Sequence, residues 1–491
     1  MSTLIVVNNV SEWPFHIPGV EVIDAWTYLT HPEVGLKRGV KLFNLCKSYR
    51  YQTAGYYVTL LAEARGHRPC PNITTIQDMK SQTMVRFVSE DLDSLIQSTL
   101  APIQSDEFTL SIYFGHNLAK RYDRLSLHLF NLFQAPLLRA QFEKTGERWQ
   151  LRNIAPIPVG DIPVSHHPFV IAEATQYFNG KRGSVRKRVP SKYDLAILFN
   201  PDDELSPSNK KAIDSFVKAA DEMGLGAEVI SRDDYARIAE FDALFIRETT
   251  QVNHHTYRFA RRAASEGLVV IDDAESILKC ANKVYLAELL QRNRVPAPKT
   301  MIVHSDNVDE IGPTLGFPVV LKQPDAAFSQ GVVKCKDEAE LRDRVDEFLS
   351  RSELVIAQEF LPTQFDWRIC ICDGRPLFAC KYHMADGHWQ IIKKEEEGGK
   401  LDFGRFETIP VEIAPRHVVR AALKAAKPIG TGLYGVDVKQ SHGDCYVIEV
   451  NDNPNIDAGV EDKVLKRELY RRIMDVFLRR IERRKAGLEV A

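Results

Sequence analysis

The sequence predicts a multidomain protein of the α/β and α+β classes, and three observations lead to this prediction. Its 491 residues exceed what one hydrophobic core usually organises, so two or three domains of about 100 to 200 residues are expected. Strand and helix patterns alternate between Tyr193 and Ile271, which is typical of a small parallel α/β domain. From Pro318 onward, short apolar segments bounded by turns predominate, which predicts a sheet-rich region.

The composition excludes several classes of protein. Hydrophobic residues make up 44% and charged residues 26%, as in ordinary folded proteins. The 64 Lys and Arg nearly balance the 66 Asp and Glu, so no overall positive field favours nucleic acid or an anionic membrane. No window approaches the roughly 18 apolar residues of a membrane span. The apolar run Met1–Val10 lacks a basic leader and predicts a first strand, not a signal peptide.

The eight cysteines indicate a compartment. They are scattered along the chain, and the one close pair, Cys370 and Cys372, alternates along a strand-like apolar run. Free cysteines are usually buried, so we expect reduced core thiols and not metal ligands. Reduced thiols favour the cytoplasm.

The first region, to about Val159, mixes strands with one clear helix. Leu4–Val7 and Phe108–Phe114 are predicted strands, and Ala54–Arg65 is a predicted helix that Gly66 is placed to end. Residues 160–190 carry several Pro and Gly and are predicted to be an irregular linker. Within them, the basic cluster at residues 181–188 either contacts a phosphate-rich partner such as nucleic acid or is merely solvated, and a solvated charge run is the commoner case.

The elements of the two later regions are predicted from their hydrophobic periodicity. In the α/β region the strands are Leu195–Phe199, Glu228–Ile230, Ala243–Arg247 and Leu268–Ile271, and the helices are Asn209–Met223 and Tyr257–Glu266. A helix begins at Lys283 and ends before Pro296. The later strands are Pro318–Lys322, Leu354–Phe360, Trp367–Cys372, Leu377–His383, Tyr434–Val438 and Tyr446–Val450.

The last two of these strands carry the strongest chemical signal. A short polar turn joins them, which predicts a hairpin. Because alternate side chains of a strand share a face, Glu449 and Asn451 should point one way while Ile448 and Val450 pack on the other. If Asp437 lies opposite, three oxygen-bearing side chains converge, and hard cations such as Mg²⁺ prefer such oxygen ligands together with substrate phosphates. The alternative is an ordinary hairpin whose carboxylates face solvent.

Cations are expected near such phosphates. Lys322 ends an apolar strand and Lys283 opens a helix, so regular structure fixes both; each could equally be a solvated surface lysine. The loop after Lys322 contains Ser329, Gln330 and Gly331, whose backbone amides could cover phosphates. The polar end of the strand Val355–Leu361 suits an adenine slot, or any buried strand.

Taken in this order, the residues from about Tyr193 to Arg480 resemble the ATP-grasp superfamily, most closely its RimK-like amino-acid ligases. The segments Tyr51–Tyr57 and Leu61–His67 are similar to the domain found ahead of some RimK-like ligases. The resemblance implies an ATP-grasp fold preceded by a small parallel α/β domain and a separate N-terminal mixed α/β domain. The implied divisions are residues 1–159, a linker at 160–190, the α/β domain at 191–280 and the ATP-grasp domain at 281–485.

The resemblance also implies roles for particular residues. Arg368, in the motif Asp366-Trp367-Arg368, looks like the arginine of the family's Asp-x-Arg element and is the first catalytic candidate; the alternative is a buried structural arginine. The other implied roles are phosphate contacts for Lys283, Lys322, Ser329, Gln330 and Gly331, adenine contacts for Gln358, Glu359 and Phe360, a ribose contact for Asp366, and ligation of Mg²⁺ (or Mn²⁺) by Asp437, Glu449 and Asn451.

The implied reaction is ATP-dependent formation of an acyl phosphate followed by attack of an amine. His383 and His388 are candidates for the base that takes the amine's proton. Arg247 ends a strand of the α/β domain, where parallel sheets present ligand contacts, and is the second catalytic candidate, as a ligand of a substrate carboxylate; an ion-paired surface arginine is the alternative. The segment 386–393 departs from the arginine-rich stretch of RimK-like enzymes, which leaves the acceptor open.

Two other functions stay open at this point. One is transfer of phosphate from ATP without ligation, and the other is a non-catalytic module that senses nucleotide, against which the intact set of metal-ligand candidates argues. The expected partners are a small molecule or peptide, with a protein acceptor left open. Neither a membrane nor nucleic acid is expected, and the oligomeric state is undetermined, a homo-oligomer included.

Overall fold

The structure is a computed structural model, and it describes residues 2–37, 40–179, 191–203, 205–325, 331–385, 389, 392–394 and 401–488. The chain forms two compact units. The N-terminal unit comprises residues 1–188 and 233–240, and the C-terminal unit comprises residues 189–232 and 241–491. The four-part division given by the sequence analysis stays a prediction.

The N-terminal unit contains one parallel and one antiparallel sheet. Its strands are β1 Ser2–Val7, β2 Glu21–Asp24, β3 Val40–Asn44, β4 Arg68–Cys70, β5 Glu107–Tyr113, β6 Leu137–Thr145 and β7 Arg148–Pro156. Its helices are α1 Ala25–Thr30, α2 Pro32–Gly35, α3 Ala54–Ala64, α4 Ile73–Lys80, α5 Gln82–Asp91, α6 Asp93–Leu100, α7 Asp123–Phe133 and α8 His167–Asn179. The parallel sheet has the order β2-β1-β3-β4, and the antiparallel sheet has the order β5-β6-β7.

Helix α8 lies in the region that the sequence analysis predicted to be an irregular linker, and over residues 167–179 that prediction is wrong. Pro168 stands in the first helical turn, where a missing backbone N–H costs no hydrogen bond. Val170 and Ala174, four residues apart, are buried in a cluster against which Tyr177 and Phe178 also pack. Tertiary packing therefore stabilises the helix. The basic cluster at residues 181–188 lies outside the described residues.

The C-terminal unit begins with a parallel sheet of order β11-β10-β8-β9, as the sequence predicted. Helix α9 shows why the elements form here: Asn209 accepts a hydrogen bond from the backbone N–H of Ala212, and the helix buries Ile213 and Phe216. The strands are β8 Tyr193–Leu198, β9 Leu225–Ile230, β10 Ala243–Ile246 and β11 Val269–Ile271. The helices are α9 Lys210–Glu222, α10 His255–Ser265, α11 Ala274–Ala281 and α12 Lys283–Arg292.

Antiparallel sheets make up most of the rest of this unit. One has the order β12-β15-β13-β14, one has the order β20-β17-β16-β21-β22, and β18 pairs with β19. The first comprises β12 Thr300–Val303, β13 Val319–Lys322, β14 Val332–Cys335 and β15 Val355–Glu359. The others comprise β16 Phe365–Cys372, β17 Arg375–His383, β18 Ile392–Lys394, β19 Leu401–Phe403, β20 Phe406–Ile409, β21 Leu433–Ser441 and β22 Asp444–Asp452. The remaining helices are α13 Ile311–Leu315, α14 Glu338–Leu349, α15 Arg416–Ala426 and α16 Arg467–Lys485. The predicted mixture of α/β and α+β architecture is confirmed.

The hairpin of β21 and β22 turns through His442 and Gly443, whose φ angles are 52° and 90°. Positive φ at both positions is characteristic of the type I′ turn, which suits the twist of a hairpin. The pairing shifts by one residue beside Asp437, so Ile448 has no cross-strand partner. Ile448 is only half-buried, and Val447 lies in the core beside Val450 instead. The prediction that Ile448 packs on the core face was wrong because of this β-bulge.

The eight cysteines are all free thiols, and seven of them are buried. Cys370 and Cys372 lie in β16 and belong to one core cluster, as predicted. Burial raises the pKa of both thiols. In the part of the chain that the structure describes, no helix combines the length and the apolar character that crossing a membrane requires. The cytoplasmic location stays a prediction.

Candidate active site

The candidate site lies in the C-terminal unit, around the hairpin of β21 and β22. Asp437 on β21 faces Glu449 on β22, and Gly435 faces Asn451, so the three predicted metal ligands occupy neighbouring cross-strand positions. The Asn451 side chain donates to Oδ2 of Asp437 at 3.2 Å. Ladder pairing thus brings together side chains that stand 12 and 14 positions apart in sequence.

Arg368 reaches this group from the neighbouring strand β16, where it lies opposite Asp437. Its Nε and one terminal nitrogen donate to the two oxygens of Asp437 at 2.7 and 2.8 Å, a bidentate pair. Burial raises the pKa of the Asp437 carboxyl, and the charge of Arg368 acts in the opposite direction. On its other side the guanidinium lies 5.0 Å from the ring centroid of Tyr382. Arg368 is therefore held in a fixed position beside the predicted metal ligands.

The two lysines belong to the same group. Asn282 caps helix α12 by accepting from the backbone of Val284, and this fixes Lys283 at the start of the helix. The Lys283 ammonium lies 2.9 Å from Oε1 of Glu449. Burial raises the pKa of Glu449, but Lys283 and Lys322 together hold it below its ordinary value.

Lys322 ends the buried strand β13. Its side chain is buried, and Nζ donates to Oε1 of Gln358 at 2.7 Å. Burial lowers the pKa of Lys322 to about 8. A surface lysine is well exposed and keeps an ordinary pKa, so the solvated alternative does not describe Lys322.

Of the residues predicted to contact adenine, Gln358 and Glu359 lie at the end of β15, and Phe360 comes directly after it. Gln358 links Lys322 to Thr300, since its amide donates to the Thr300 hydroxyl at 2.9 Å. Glu359 accepts at Oε1 from the backbone N–H of Lys299 at 2.8 Å. Phe360 lies beside these residues in the chain, with the Lys334 ammonium 4.7 Å from its ring centroid. The pattern of polar pair and aromatic ring is compatible with the adenine slot that the sequence predicted.

Asp366, the predicted ribose contact, is bound by protein groups. Its Oδ1 accepts from the Lys439 ammonium at 2.7 Å and from the Thr363 hydroxyl at 2.8 Å. Lys439 was missed by the sequence analysis. A signal for it existed, because Lys439 follows Asp437 by two positions on β21, and strand periodicity places the two on one face.

The predicted phosphate loop is described only in part. Ser329 and Gln330 lie outside the described residues, as does His388. Gly331 adopts a φ of 66°, a left-handed conformation that favours glycine, and its carbonyl accepts from the backbone of Gln323 at 2.8 Å. The loop therefore begins and ends at paired strands.

The charged groups of the site give it an excess of positive charge. Four cations alternate with three carboxylates: Lys283, Lys322, Arg368 and Lys439 with Asp366, Asp437 and Glu449. The formal sum over these seven groups is one positive charge. Such a group of partly buried cations, held by regular structure, suits a polyanionic ligand such as a triphosphate.

A hard divalent cation fits the donor set. Among the described residues, no group of three His, Cys, Asp or Glu side chains could hold a metal ion. The candidate ligands are instead two carboxylates and one amide, Asp437, Glu449 and Asn451, at paired positions of one hairpin. All three offer oxygen, which Mg²⁺ prefers, and Mg²⁺ usually takes only one or two carboxylates together with substrate phosphates and water.

Arg247 lies elsewhere, in a fully buried network. Its Nε donates to the hydroxyl of Ser208 at 3.0 Å, and its terminal nitrogens donate to Oδ1 of Asn453 and to the carbonyls of Pro207 and Pro454 at 2.6 to 2.8 Å. Burial lowers the pKa of the guanidinium to about 10. It is not an ion-paired surface arginine, and every nitrogen already donates to protein. Arg247 therefore ties the segment after β22 to the parallel sheet, and its contact with a substrate carboxylate stays a prediction.

Two regions of the chain match models of known protein domains. Residues 280–476 match the model of the RimK-like ATP-grasp domain, and residues 25–173 match that of the RimK-like ATP-grasp N-terminal domain. The two matches cover the larger part of the chain, in the order that the resemblance implied. The chain belongs to the RimK-like ATP-grasp family. It is accordingly an ATP-binding ligase that forms carbon–nitrogen bonds.

Individual relatives of this RimK-like ligase are distant. A probable alpha-L-glutamate ligase of Stutzerimonas stutzeri is 26% identical over 226 residues, which are 45% of this chain and 71% of the relative. A protein of the same description from Vibrio vulnificus is 24% identical over 233 residues, 47% of this chain and 74% of the relative.

Solved structures with a similar fold include a D-alanine–D-alanine ligase from Bacillus anthracis, with a TM-score of 0.48, 17% identity, and coverage of 60% of this chain and 99% of that one. A RimK domain ATP-grasp protein from Sphaerobacter thermophilus has a TM-score of 0.43 and 18% identity, covering 58% of this chain and 99% of that one.

The sequence analysis missed two further residues beside Arg368 in the candidate site, Tyr382 and Glu461. The Tyr382 hydroxyl, whose ring supports Arg368, donates to Oε1 of Glu461 at 2.6 Å. Glu461 is buried, and its other oxygen accepts from the backbone of Asp457 at 2.7 Å. The two residues stand 79 positions apart, and no local pattern in the sequence connects them.

Proposed function

We propose that the protein activates a carboxylate with ATP and joins it to an amine, through an acyl-phosphate intermediate and with Mg²⁺. The observation that carries the proposal is the group formed by Arg368, Asp437, Glu449 and Asn451 beside the half-buried Lys283 and the buried Lys322. Membership of the RimK-like family supports ligation over simple phosphate transfer.

The reaction has two steps. An oxygen of the donor carboxylate attacks the γ-phosphorus of ATP, the bond to the bridging oxygen breaks, and ADP leaves. The nitrogen of the acceptor amine then attacks the carbonyl carbon of the acyl phosphate, and inorganic phosphate leaves as the amide forms. One proton of the amine is released to a base, for which His383 and His388 stay predictions.

The protein's part in both steps is to place and neutralise charge, since phosphoryl transfer needs little covalent help. Lys322 and Lys283 are positioned by β13 and α12 to approach the phosphates. Arg368, fixed by Asp437 and by the Tyr382 ring, presents its guanidinium where negative charge develops. Asp437, Glu449 and Asn451 would hold Mg²⁺, which when bound neutralises phosphate charge.

The substrates are proposed from the relatives. Several are described as probable alpha-L-glutamate ligases, so glutamate is the first amino acid to supply, both as donor and as acceptor. Peptides and protein termini follow, because the sequence between β17 and β20 departs from the stretch that RimK-like enzymes place near the acceptor. No membrane or nucleic-acid partner is proposed.

The test is release of ADP and phosphate from Mg²⁺-ATP with pairs drawn from amino acids and short peptides. We expect release that requires a carboxylate and an amine together, with amide product found by mass spectrometry. Asn451→Ala should abolish release, because it removes a predicted metal ligand. The described hydrogen bonds of the Asn451 side chain, to Asp437 and Gly435, are long, so the change should cost little stability. Asn153→Ala, on an exposed position of β7, is the matched control and should retain full activity.

The alternatives predict different results. ADP release with the carboxylate alone, with phosphate retained on it after the amine is added, would show a phosphotransferase. Bound ATP that no pair in the panel turns over would favour a nucleotide-sensing module, and would contradict the proposal if protein acceptors also failed.

A further inference from the structure

The carboxylate of Glu461 is a buried acidic group to which the proposed reaction assigns no role. Its side chain is 2% exposed, and the ion pairs of the described residues include none to Glu461. Its described hydrogen bonds come from two neutral donors, the Tyr382 hydroxyl at 2.6 Å and the backbone N–H of Asp457 at 2.7 Å. Burial raises the pKa of Glu461, and both hydrogen bonds act in the opposite direction. A buried carboxylate without a bonded cation costs stability, so packing alone does not explain an acidic residue here.

The fold holds Glu461 beside strand β17. The Thr408 hydroxyl of β20 donates to the carbonyl of Val460 at 2.8 Å, and β20 pairs with β17, the strand of Tyr382. The hydrogen bond from Asp457 to Oε2 closes the turn that carries the carboxylate. Contacts with neighbouring elements therefore fix Glu461 at the hydroxyl end of the Tyr382 ring.

Tyr382 connects this carboxylate to Arg368. Arg368 lies opposite Cys380 in the pair of β16 and β17, so Tyr382 is its diagonal neighbour on the same face of the sheet. The guanidinium carbon lies 5.0 Å from the centroid of the Tyr382 ring. A phenol that donates to a carboxylate has a more negative ring face, which attracts a cation more strongly. The negative charge of Glu461 thus favours the observed position of Arg368.

Arg368 needs such a second support if Asp437 binds a metal ion. In the free protein both oxygens of Asp437 accept from Arg368, and Oδ2 also accepts from Asn451. A divalent cation at Asp437 would take one of the remaining lone pairs and repel the guanidinium. Glu461 and Tyr382 are not among the predicted metal ligands, so their attraction for Arg368 does not depend on whether a metal is bound.

We propose that Glu461 and Tyr382 are positioning residues that hold Arg368 in its catalytic position, and that the negative charge of Glu461 is the feature on which this depends. The inference rests on the proposed function, in which Arg368 meets the negative charge that develops during phosphoryl transfer. Loss of either residue should therefore lower kcat more than it raises the KM for ATP. The alternative is a structural role, in which Glu461 only closes its turn.

A double-mutant cycle on stability tests the coupling between Glu461 and Arg368 without any substrate. Glu461→Gln keeps the size of the side chain and one accepting oxygen, and removes the charge. This change should lower the urea midpoint more in the wild type than in the Arg368→Met background, because the carboxylate has lost the cation that it attracts in that background. Equal shifts in the two backgrounds would indicate the structural role and overturn the proposal.

Steady-state ligation, with a substrate pair that the wild type turns over, is the second test, and it does not require that Arg368→Met folds. Glu461→Gln and Tyr382→Phe should each lower kcat about five- to tenfold and leave the KM for Mg²⁺-ATP within about twofold. Tyr382→Leu also removes the ring and should lower kcat further. Glu412→Gln, at an exposed position after β20, is the matched control and should change neither value.

The two tests separate this inference from the proposed function. An unchanged kcat in both Glu461→Gln and Tyr382→Phe would overturn the inference and leave the ligase function intact, as would a raised KM with normal kcat. If the wild type joins no pair of substrates, the proposed function fails. The urea cycle then still shows whether Glu461 and Arg368 are coupled.

Discussion

Replacing Lys322 with Met should stabilise the free protein and at the same time weaken its binding of ATP. The Lys322 ammonium is buried at the end of β13, where it donates a hydrogen bond to the uncharged side chain of Gln358. Ordinary structural residues contribute to stability, so a gain on their removal is unusual. The double effect would identify Lys322 as a residue kept for a ligand.

The size of the effect follows from its pKa. Burial lowers this pKa from 10.5 to about 8, and one pKa unit corresponds to about 1.36 kcal/mol. The charged form therefore costs the folded protein about 3 kcal/mol at pH 7. Loss of the bond to Gln358, whose Oε1 is left without a donor, costs about 1 to 3 kcal/mol. The net expected gain is about 1 kcal/mol.

The gain should depend on pH with a definite sign. The folded pKa of about 8 lies below the unfolded value, so between about 8 and 10.5 the unfolded state binds more protons than the folded state. Wild-type stability relative to Lys322→Met therefore rises with pH across this window. The cost of the charged form is complete below about pH 8 and disappears above about pH 10.5. The net advantage of the variant should therefore vanish near about pH 9, and the variant should be the less stable protein at pH 10.

The assays are urea unfolding at pH 7 and pH 10 and titration with Mg²⁺-ATP. ATP affinity should fall about 10- to 100-fold, as expected for a lost charge-assisted bond. Lys336→Met, at an exposed position just after β14, is the control and should change neither quantity. A variant that is less stable than the wild type at pH 7 and still binds ATP normally would refute the reasoning.

Two other substitutions separate structural from catalytic roles. Asp437→Asn should destabilise the protein by about 3 kcal/mol, because it leaves the partly buried Arg368 charge without its partner, and it should also abolish ligation. Urea unfolding measures the first effect and product release the second, and normal activity would exclude Asp437 from the site. Arg247→Ala should destabilise the fold by about 3 kcal/mol or more, because Asn453 and two backbone carbonyls lose their hydrogen-bond donor. A variant that is as stable as the wild type and has a raised substrate KM would instead support the substrate-binding hypothesis.

The hairpin at the site could be predicted because its determinants are local. Period-two alternation places Glu449 and Asn451 on one face, and a two-residue turn with Gly443 sets the register as far as the pair Val438 and Val447. Beyond that pair the bulge at Ile448 brings Asp437 opposite Glu449. The same reasoning failed for Ile448. The bulge inserts Ile448 into the ladder, and no residue type in the sequence marks its position. The alternation read from the sequence therefore assigns Ile448 to the wrong face.

Contacts between distant segments are a second feature that the sequence alone does not reveal. Arg247 ends a strand in the position typical of ligand contacts, but its partner Asn453 follows 206 positions later, and only the folded chain brings them together. Helix α8 was obscured in the same way. Its apolar residues show no clear helical pattern in the sequence. In the structure Tyr177 packs against Phe43 and Phe178 against Phe114, and both partners lie far upstream in the chain.

The charge of the candidate site is explained neither by the sequence pattern nor by packing unless a ligand is bound. Ion pairs in partly buried positions rarely repay the cost of desolvation, so a fold selected for stability alone would replace them with apolar residues. Here four cations and three carboxylates lie together on β13, β16, β21 and β22 and at the start of α12. The described hydrogen bonds of Lys322 include none to a carboxylate. A triphosphate with a divalent cation carries about two negative charges and would compensate this excess. We therefore interpret the uncompensated positive charge of the free protein as preorganisation for nucleotide. For this reason removal of Lys322 should raise the stability of the free protein and lower its affinity for ATP.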